Sequence, residues 1–283
     1  MGFMQSASSR VELFGLGFDD LTQVELIERI GESVRHRARC WIATANVNFV
    51  CLSARQPEFR ALLRSADVLT ADGMPLVWAS RFVDHPLRER VTGADLLKPL
   101  AARAANESWK IFLCGGEPGI AERTAASLCA FAPGLQVVGT AAPAFPTSDS
   151  TVDASRNRTL LAEIRRASPD VLFVALGTPK QELWIHHHLS TRELDVPVVV
   201  GIGAGFDFLA GRQKRAPQWM CRMGLEWTYR AISQPLRLGP RYARDGVTFV
   251  RLLFRALRSA PARSVRRRPR SQSQSQRSTD TTR

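Results

Sequence analysis

The chain has 283 residues, 45% hydrophobic and 23% charged, as expected of a globular protein with a real core. No run of about 18 apolar residues occurs, and the opening MGFMQSASSR lacks the apolar core of a signal peptide, so neither a transmembrane helix nor a leader is expected. The net charge of +13 is concentrated: residues 211–283 carry 18 Lys and Arg against three acids, while the other 210 residues carry 21 bases and 23 acids. Such asymmetry points to an anionic partner, either nucleic acid or an anionic membrane surface.

In chain order, short apolar runs predict strands at 40–45, 67–71, 109–114, 135–140, 170–176 and 196–202. Helical patterns fall near 21–37, 53–65, 74–82, 93–106, 119–131, 156–168 and 179–190. Strands that are apolar throughout and alternate with helices indicate an α/β fold, a Rossmann-like parallel sheet with helices on both faces. After Phe208 the alternation stops. Residues 212–234 read as loop plus helix, and 241–258 as a helix set apart by Pro235, Gly239 and Pro240. The expected organisation is an α/β catalytic core over 1–210, an Arg-rich helical appendage over 211–258, and a basic tail without structure over 259–283. The five scattered cysteines form no CxxC pair. Cys40, Cys114 and Cys129 lie in or beside apolar runs, as free thiols do in a reducing compartment.

In a parallel sheet the ligand sits outside the carboxyl ends of the strands. The residues there are the candidates. Asp72, in VLTADGMPLVW, is either a turn or cap residue or a general base. Thr44 and Asn46, in TANVNF, can cap a helix or bind a sugar hydroxyl. Gly115, Gly116 and Gly119, in FLCGGEPGIAER, let a backbone approach a phosphate at a helix N-terminus, or form a bare turn. In LGTPKQELW, Thr178 and Gln181 have capping-box spacing, with Pro179 at the first helical position.

His186, His187 and His188 are consecutive and so point about 100° apart on a helix, which argues against chelation from one face. There is also no Asp-x-Asp pair to hold a divalent ion under a nucleotide sugar. No metal or other cofactor is expected. If the substrate is a nucleotide sugar, Arg side chains or helix N-termini are the natural counter-charges for its leaving group.

The last helix is basic and amphipathic. Arg241, Arg244, Arg251, Arg255 and Arg258 share a stripe, and Val247, Val250, Leu253, Phe254 and Leu257 are expected on the opposite face. That pattern fits an anionic membrane surface bound through 241–258. The helix is also suited to packing on the body or to a homo-oligomer interface. Nucleic acid is not the expected partner, because no aromatic residues are interleaved with the basic ones.

Several motifs occur in one order: Thr44-x-Asn46, Ala66-Asp67 leading to Asp72-Gly73, and Arg90-x-x-Gly93-x-Asp95-Leu96. The Gly115-Gly116 loop follows, then Pro169-Asp170 through Gly177-x-Pro179-x-Gln181-Glu182. The series ends with Gly203 through Gly211, Arg215-Ala216-Pro217-x-Trp219, Gly224 through Arg230, and Arg237 with Arg241-Tyr242. Over about residues 11–255 this set resembles the bacterial WecG/TagA/CpsF glycosyltransferase family, glycosyltransferase family 26.

The resemblance implies an inverting, metal-independent enzyme. It implies transfer of a sugar from a UDP-sugar, often N-acetylmannosamine or its uronic acid, to a sugar on a polyprenyl diphosphate, for cell-envelope or exopolysaccharide synthesis. It implies Asp72 as general base and Thr44, Asn46, Arg90 and Gln181 along the active site. Arg222, Arg230 and Arg237 would lie on the diphosphate and membrane side. The implied location is cytoplasmic, on the inner face of the plasma membrane. Asp72-Gly73-Met74-Pro75 lacks a second glycine that many members have near Pro75, which widens the implied donors to a plain hexose such as glucose. Two other classes fit fragments of the sequence. A nucleotide-cofactor oxidoreductase or methyltransferase would use the Gly115 loop, and a nucleic-acid binder would use the basic end.

Overall fold

The computed structural model describes residues 9–143 and 154–259. The elements run β1 Arg10–Leu13, β2 Leu16–Asp19, α1 Gln23–Arg35, β3 Cys40–Ala45, α2 Val47–Arg55, α3 Pro57–Arg64, β4 Val68–Ala71, α4 Met74–Ser80, α5 Gly93–Glu107 and β5 Lys110–Gly115. They continue with α6 Ile120–Phe131, β6 Gln136–Ala141, α7 Ala154–Ala167, β7 Val171–Ala175, α8 Lys180–Ser190, β8 Val198–Gly201, α9 Gly205–Leu209, α10 Gln218–Arg222, α11 Glu226–Ser233 and α12 Pro235–Ser259.

Six strands form one parallel sheet in the order β4-β3-β8-β7-β5-β6, so the α/β reading holds. All six predicted strands are present. Strands β3, β4, β7 and β8 are buried at every residue, because helices cover both faces. One core cluster lies on each side of the sheet, with Trp41, Leu69, Phe112 and Leu172 in one and Ile42, Leu113, Phe173 and Val200 in the other. Alternate residues of the same strands feed opposite clusters, as the pleat requires. Parallel strands all present their carboxyl ends at one edge, which puts Thr44, Asp72, Gly115, Leu176 and Ile202 on that edge.

Four expectations need correction. The β1–β2 hairpin was not anticipated, because each strand has only four residues. The helix expected over 53–65 is two helices, α2 and α3. Asn46 starts the first early by accepting from the Asn48 N–H at 3.0 Å, and Pro57 starts the second. The capping box at Thr178 is absent: the turn before α8 has a cis Thr178–Pro179 bond, Pro179 is at the N-cap, and no side chain caps the helix. Pro235 does mark the boundary between two helices, because α11 ends at Ser233, but Gly239 and Pro240 add no break. Pro235 opens α12, which needs no N–H there, and α12 runs on through Pro240. Pro240 forfeits one bond to the Leu236 carbonyl, whose residue is 95% exposed and open to water.

Helix α12 has three faces rather than two. Phe249, Leu252 and Leu253 pack on the core, and buried Asp245 pairs with Arg55 of α2 at 3.0 Å. Val247, Val250, Phe254 and Leu257 are exposed, as are Arg244, Arg251, Arg255 and Arg258. So Leu253 leaves the expected apolar stripe for the core, and the other four members stay outside. Cys40, Cys51 and Cys114 are buried free thiols, whereas Cys129 is exposed. The proposed tail from 260 onward lies outside the described residues.

Candidate active site

Strand β4 ends at Ala71, and the Asp72 N–H donates to the Ala45 carbonyl of β3 at 2.8 Å. This keeps Asp72 at the ligand edge. Its carboxylate does not cap α4: the N-cap position is Gly73, with no side-chain bond. Gly73 takes φ of 149°, which a side chain disfavours, and so turns the chain sharply away from Asp72. Among the described residues no side chain hydrogen-bonds the Asp72 carboxylate. The group is half-buried, yet protein packs it tightly enough that desolvation pushes its pKa up to about 7. Arg90 pulls the value down, Glu226 and Asp95 push it up, and Arg230 pulls down more weakly. An unpartnered carboxyl that titrates near neutrality is suited to accept a proton.

The groups around Asp72 form a charged ring. Arg90 Nη2 lies 3.0 Å from Asp95 Oδ2, and its Nη1 lies 3.5 Å from Glu226 Oε2. Arg215 lies 2.5 Å from Asp95 Oδ1 and 3.6 Å from Glu226 Oε2. Thr92 caps α5 by accepting from the Asp95 N–H at 3.0 Å, which fixes Asp95 in the first helical turn. Burial works against the charge on Asp95, but Arg215 and Arg90 outweigh it and hold the carboxyl below its ordinary value. Burial likewise opposes the charge on Arg215, and Asp95 with Glu226 reverses that and raises its pKa.

Two positive charges meet at Phe208. The Arg215 and Arg230 guanidiniums lie 5.8 and 5.7 Å from its ring centroid. The Nε atoms of Arg215, Arg230 and Arg241 are buried without a hydrogen-bond partner among the described residues. Arg222 and Arg237 lie in α10 and α12, but their side chains are outside the described residues.

The neighbouring strand ends hold the other candidates. Thr44 is buried, and its hydroxyl donates to the Gly201 carbonyl at 3.0 Å, joining β3 to β8. Gly93 sits against this pair: a Cβ there would lie 2.7 Å from Ile202 Cα and 3.1 Å from Thr44 Oγ1. Asn46 caps α2 through its carbonyl oxygen, and its amide NH₂ makes no hydrogen bond among the described residues. Gln181 is buried over Gly201, where a Cβ would come within 2.4 Å of its Nε2. Thus Asp72 follows β4, Thr44 and Asn46 lie at the end of β3, and Gln181 follows β7 and packs on Gly201 of β8, four strands that are consecutive in the sheet, while Arg90 comes from the segment before α5.

The glycine loop is farther off. β5 is four strand steps from β4, about 19 Å at the usual spacing. A Cβ on Gly115 would lie 2.4 Å from the Ala175 carbonyl oxygen, and one on Gly116 2.8 Å from Ile120. Internal packing therefore accounts for both glycines, while Gly119 faces open space. The histidines are at the far end of α8. His187, His188 and Glu193 bring donor atoms within 4.8 Å of one another. Both ring nitrogens of His188 are already occupied, Nδ1 by Glu193 at 2.6 Å and Nε2 by Asn157 at 2.9 Å. Buried His188 thus belongs to a structural network with Glu193, Asn157 and Trp184, whose indole N–H donates to Asn157 at 2.7 Å.

A cleft of about 390 Å³ opens beside the ring, lined by Met74, Val77, Leu87, Arg81, Arg90 and Cys221 among others. Exposed Trp78 and Phe82 lie on and just beyond the adjoining α4, and Met223 and Trp227 are exposed on the facing segment. That segment meets α4 closely, since a Cβ on Gly224 would lie 2.3 Å from Met74.

Sequence reasoning missed Asp95, Arg215 and Glu226 as site residues, although each stands in a quoted motif. It also missed Glu182. The one local signal was the short spacing of Arg90 and Asp95 across the start of α5.

The model of the glycosyl transferase WecG/TagA/CpsF family matches residues 11–263. A Bacillus subtilis (strain 168) protein named N-acetylglucosaminyldiphosphoundecaprenol N-acetyl-beta-D-mannosaminyltransferase is 34% identical over 199 residues, 69% of this chain and 72% of that protein. A Staphylococcus aureus (strain MW2) protein of the same name is 28% identical over 237 residues, 83% of this chain and 89% of that protein. The chain belongs to the WecG/TagA/CpsF glycosyltransferase family and is a glycosyltransferase.

Proposed function

We propose that the enzyme moves a hexosyl residue from a UDP-sugar to a sugar carried on polyprenyl diphosphate, with inversion and without a metal ion. The observation that carries this reading is Asp72: an unpartnered carboxyl at the ligand edge with a pKa pushed to about 7 and arginines beside it. The acceptor hydroxyl oxygen forms a bond to the anomeric carbon from the face opposite UDP. The bond from that carbon to the diphosphate oxygen breaks, its electron pair leaves with UDP, and the hydroxyl proton goes to Asp72. Arg230 and Arg241, with buried Nε–H groups still unpartnered, supply positive charge to the diphosphate. The Arg90–Asp95–Arg215–Glu226 ring balances its own two arginines with two acids, which leaves Arg230 and Arg241 for the substrate.

The names of the relatives make N-acetylmannosamine and a diphosphoundecaprenol-linked N-acetylglucosamine the first donor sugar and acceptor to try. The cleft fits an amphiphilic acceptor, since Met74, Val77 and Leu87 line it together with Arg81 and Arg90. No described helix is long and apolar enough to cross a membrane. The exposed stripes of α12 would instead hold the enzyme at the inner face of the plasma membrane, where such an acceptor lies. The core-and-appendage organisation divided near residue 210 belongs to the same proposal. The test is a panel of UDP-sugars, including N-acetylmannosamine, its uronic acid and glucose, against synthetic polyprenyl-diphosphate acceptors, read by UDP release. Release that depends on the acceptor supports the reading, and no release with any pair overturns it.

A further inference from the structure

At the centre of the ligand edge lies another carboxyl, fully buried, that the proton transfer does not use. Glu182 is 1% exposed, in the first turn of α8. Its Oε1 accepts from Gln181 Nε2 at 2.6 Å, and its Oε2 has no hydrogen-bond partner among the described residues. Burial pushes its pKa up to about 7. Placing a carboxyl here is costly unless the contact it makes is worth keeping. That contact decides how the Gln181 carboxamide lies. With Nε2 turned to Glu182, Oε1 faces the other way and accepts from the Gly203 N–H at 3.1 Å. Gly203 belongs to the loop between β8 and α9, one strand from Thr44, which holds the Gly201 carbonyl from the opposite side. An apolar residue of similar size could fill the same space, but it could not tell the two ends of an amide apart.

We propose that Glu182 is a positioning residue that fixes the orientation of Gln181, and through it the Gly203 loop, whose backbone faces open space at the ligand edge, for binding the donor. This rests on the glycosyl-transfer reading above. Three variants of the full chain test it: E182M removes the acceptor at similar volume, E182D keeps the carboxylate but withdraws its reach, and E182Q keeps an oxygen at the same distance. The readings are the Kd for UDP by calorimetry and the KM and kcat for UDP-N-acetylmannosamine with a polyprenyl-diphosphate acceptor. Thermal unfolding confirms that each variant folds.

E182M and E182D are expected to raise Kd and donor KM about tenfold with kcat changed far less, and E182Q to stay within about threefold of wild type. Should E182M fail to fold, E182D carries the comparison. If E182Q is as impaired as E182D, or E182D binds UDP as well as wild type, the positioning role is wrong. A wild-type enzyme that binds UDP but transfers nothing overturns the transfer reading instead, and the Kd series still decides the role of Glu182.

Discussion

Arg215 Nη1 lies 2.5 Å from Asp95 Oδ1, tying the segment after α9 to the first turn of α5. The same guanidinium reaches Glu226 and so helps hold α11 beside Asp72. Arg215→Ala leaves both acids with Arg90 alone. Both groups are about one-third exposed, so the stability cost is modest, about 1–2 kcal/mol by urea unfolding. The effect on catalysis is larger in kind. Asp95 and Glu226 already push the pKa of Asp72 up, and with less positive charge near them they push harder. The acid limb of the kcat/KM profile should move to higher pH, and an unmoved limb would show that the ring does not tune the base.

Asp72→Asn should lower kcat by about 10²–10⁴ and leave folding intact. The sign of the stability effect is also fixed. The ordinary pKa of 3.8 for Asp72 rises to about 7 in the fold, and that of Glu182 rises from 4.5 to about 7. Between those values the folded state holds protons that the unfolded state has released. The stability these groups contribute is fully present below about pH 4 and is lost as pH rises through about 7. Activity should climb over the upper part of the same range as Asp72 ionises. At pH 8 the Asn variant should therefore be at least as stable as wild type by thermal unfolding. A variant much less stable there would mean that the charged carboxylate is favoured by contacts absent from this structure.

Much of this was legible in the sequence, for a physical reason. Strands buried on both faces, such as CWIATA and DVLFVAL, must be apolar at every position, and the helices between them must not be. Once the sheet was known to be parallel, its carboxyl edge selected Thr44, Asn46, Asp72 and Gln181 without any contact being known. The ring was not legible, because Arg90 and Glu226 are 136 residues apart and ion pairs of that separation leave no local pattern. The Gly239–Pro240 pair misled for the opposite reason. Its local signal says break, and only the packing of Leu238, Phe249, Leu252 and Leu253 shows why α12 continues.

Gly115→Ala separates packing from phosphate binding. A Cβ there meets the Ala175 carbonyl at 2.4 Å, and φ is 123°, so both sterics and backbone oppose a side chain. The variant should lose about 3 kcal/mol or more in urea unfolding. Gly119→Ala meets no atom within 4 Å, although φ of 83° still costs it about 1 kcal/mol. Equal, small losses at both positions would remove the packing account of Gly115.

The outward stripes of α12 give the last prediction. Phe254 is 60% exposed and Val250 49%, so making both Glu removes little core packing and should leave thermal unfolding nearly unchanged. On a bilayer the same change takes two apolar contacts out of the interface and adds two negative charges. Replacing Arg251, Arg255 and Arg258 by Ala removes three cations from the neighbouring stripe, each worth about 1 kcal/mol near an anionic surface. Partition into vesicles of mixed anionic and neutral lipid, read by sedimentation, should drop about a hundredfold for the triple Ala variant. The loss should shrink as salt rises, because only the arginine contribution is screened. The Glu pair should weaken binding to neutral vesicles as well, where the arginines contribute little. Activity on a detergent-soluble acceptor with a short prenyl chain should survive both changes, since neither stripe touches the ring around Asp72. If vesicle binding is unchanged in both variants, α12 is not the membrane contact, and its exposed apolar stripe is covered by something else.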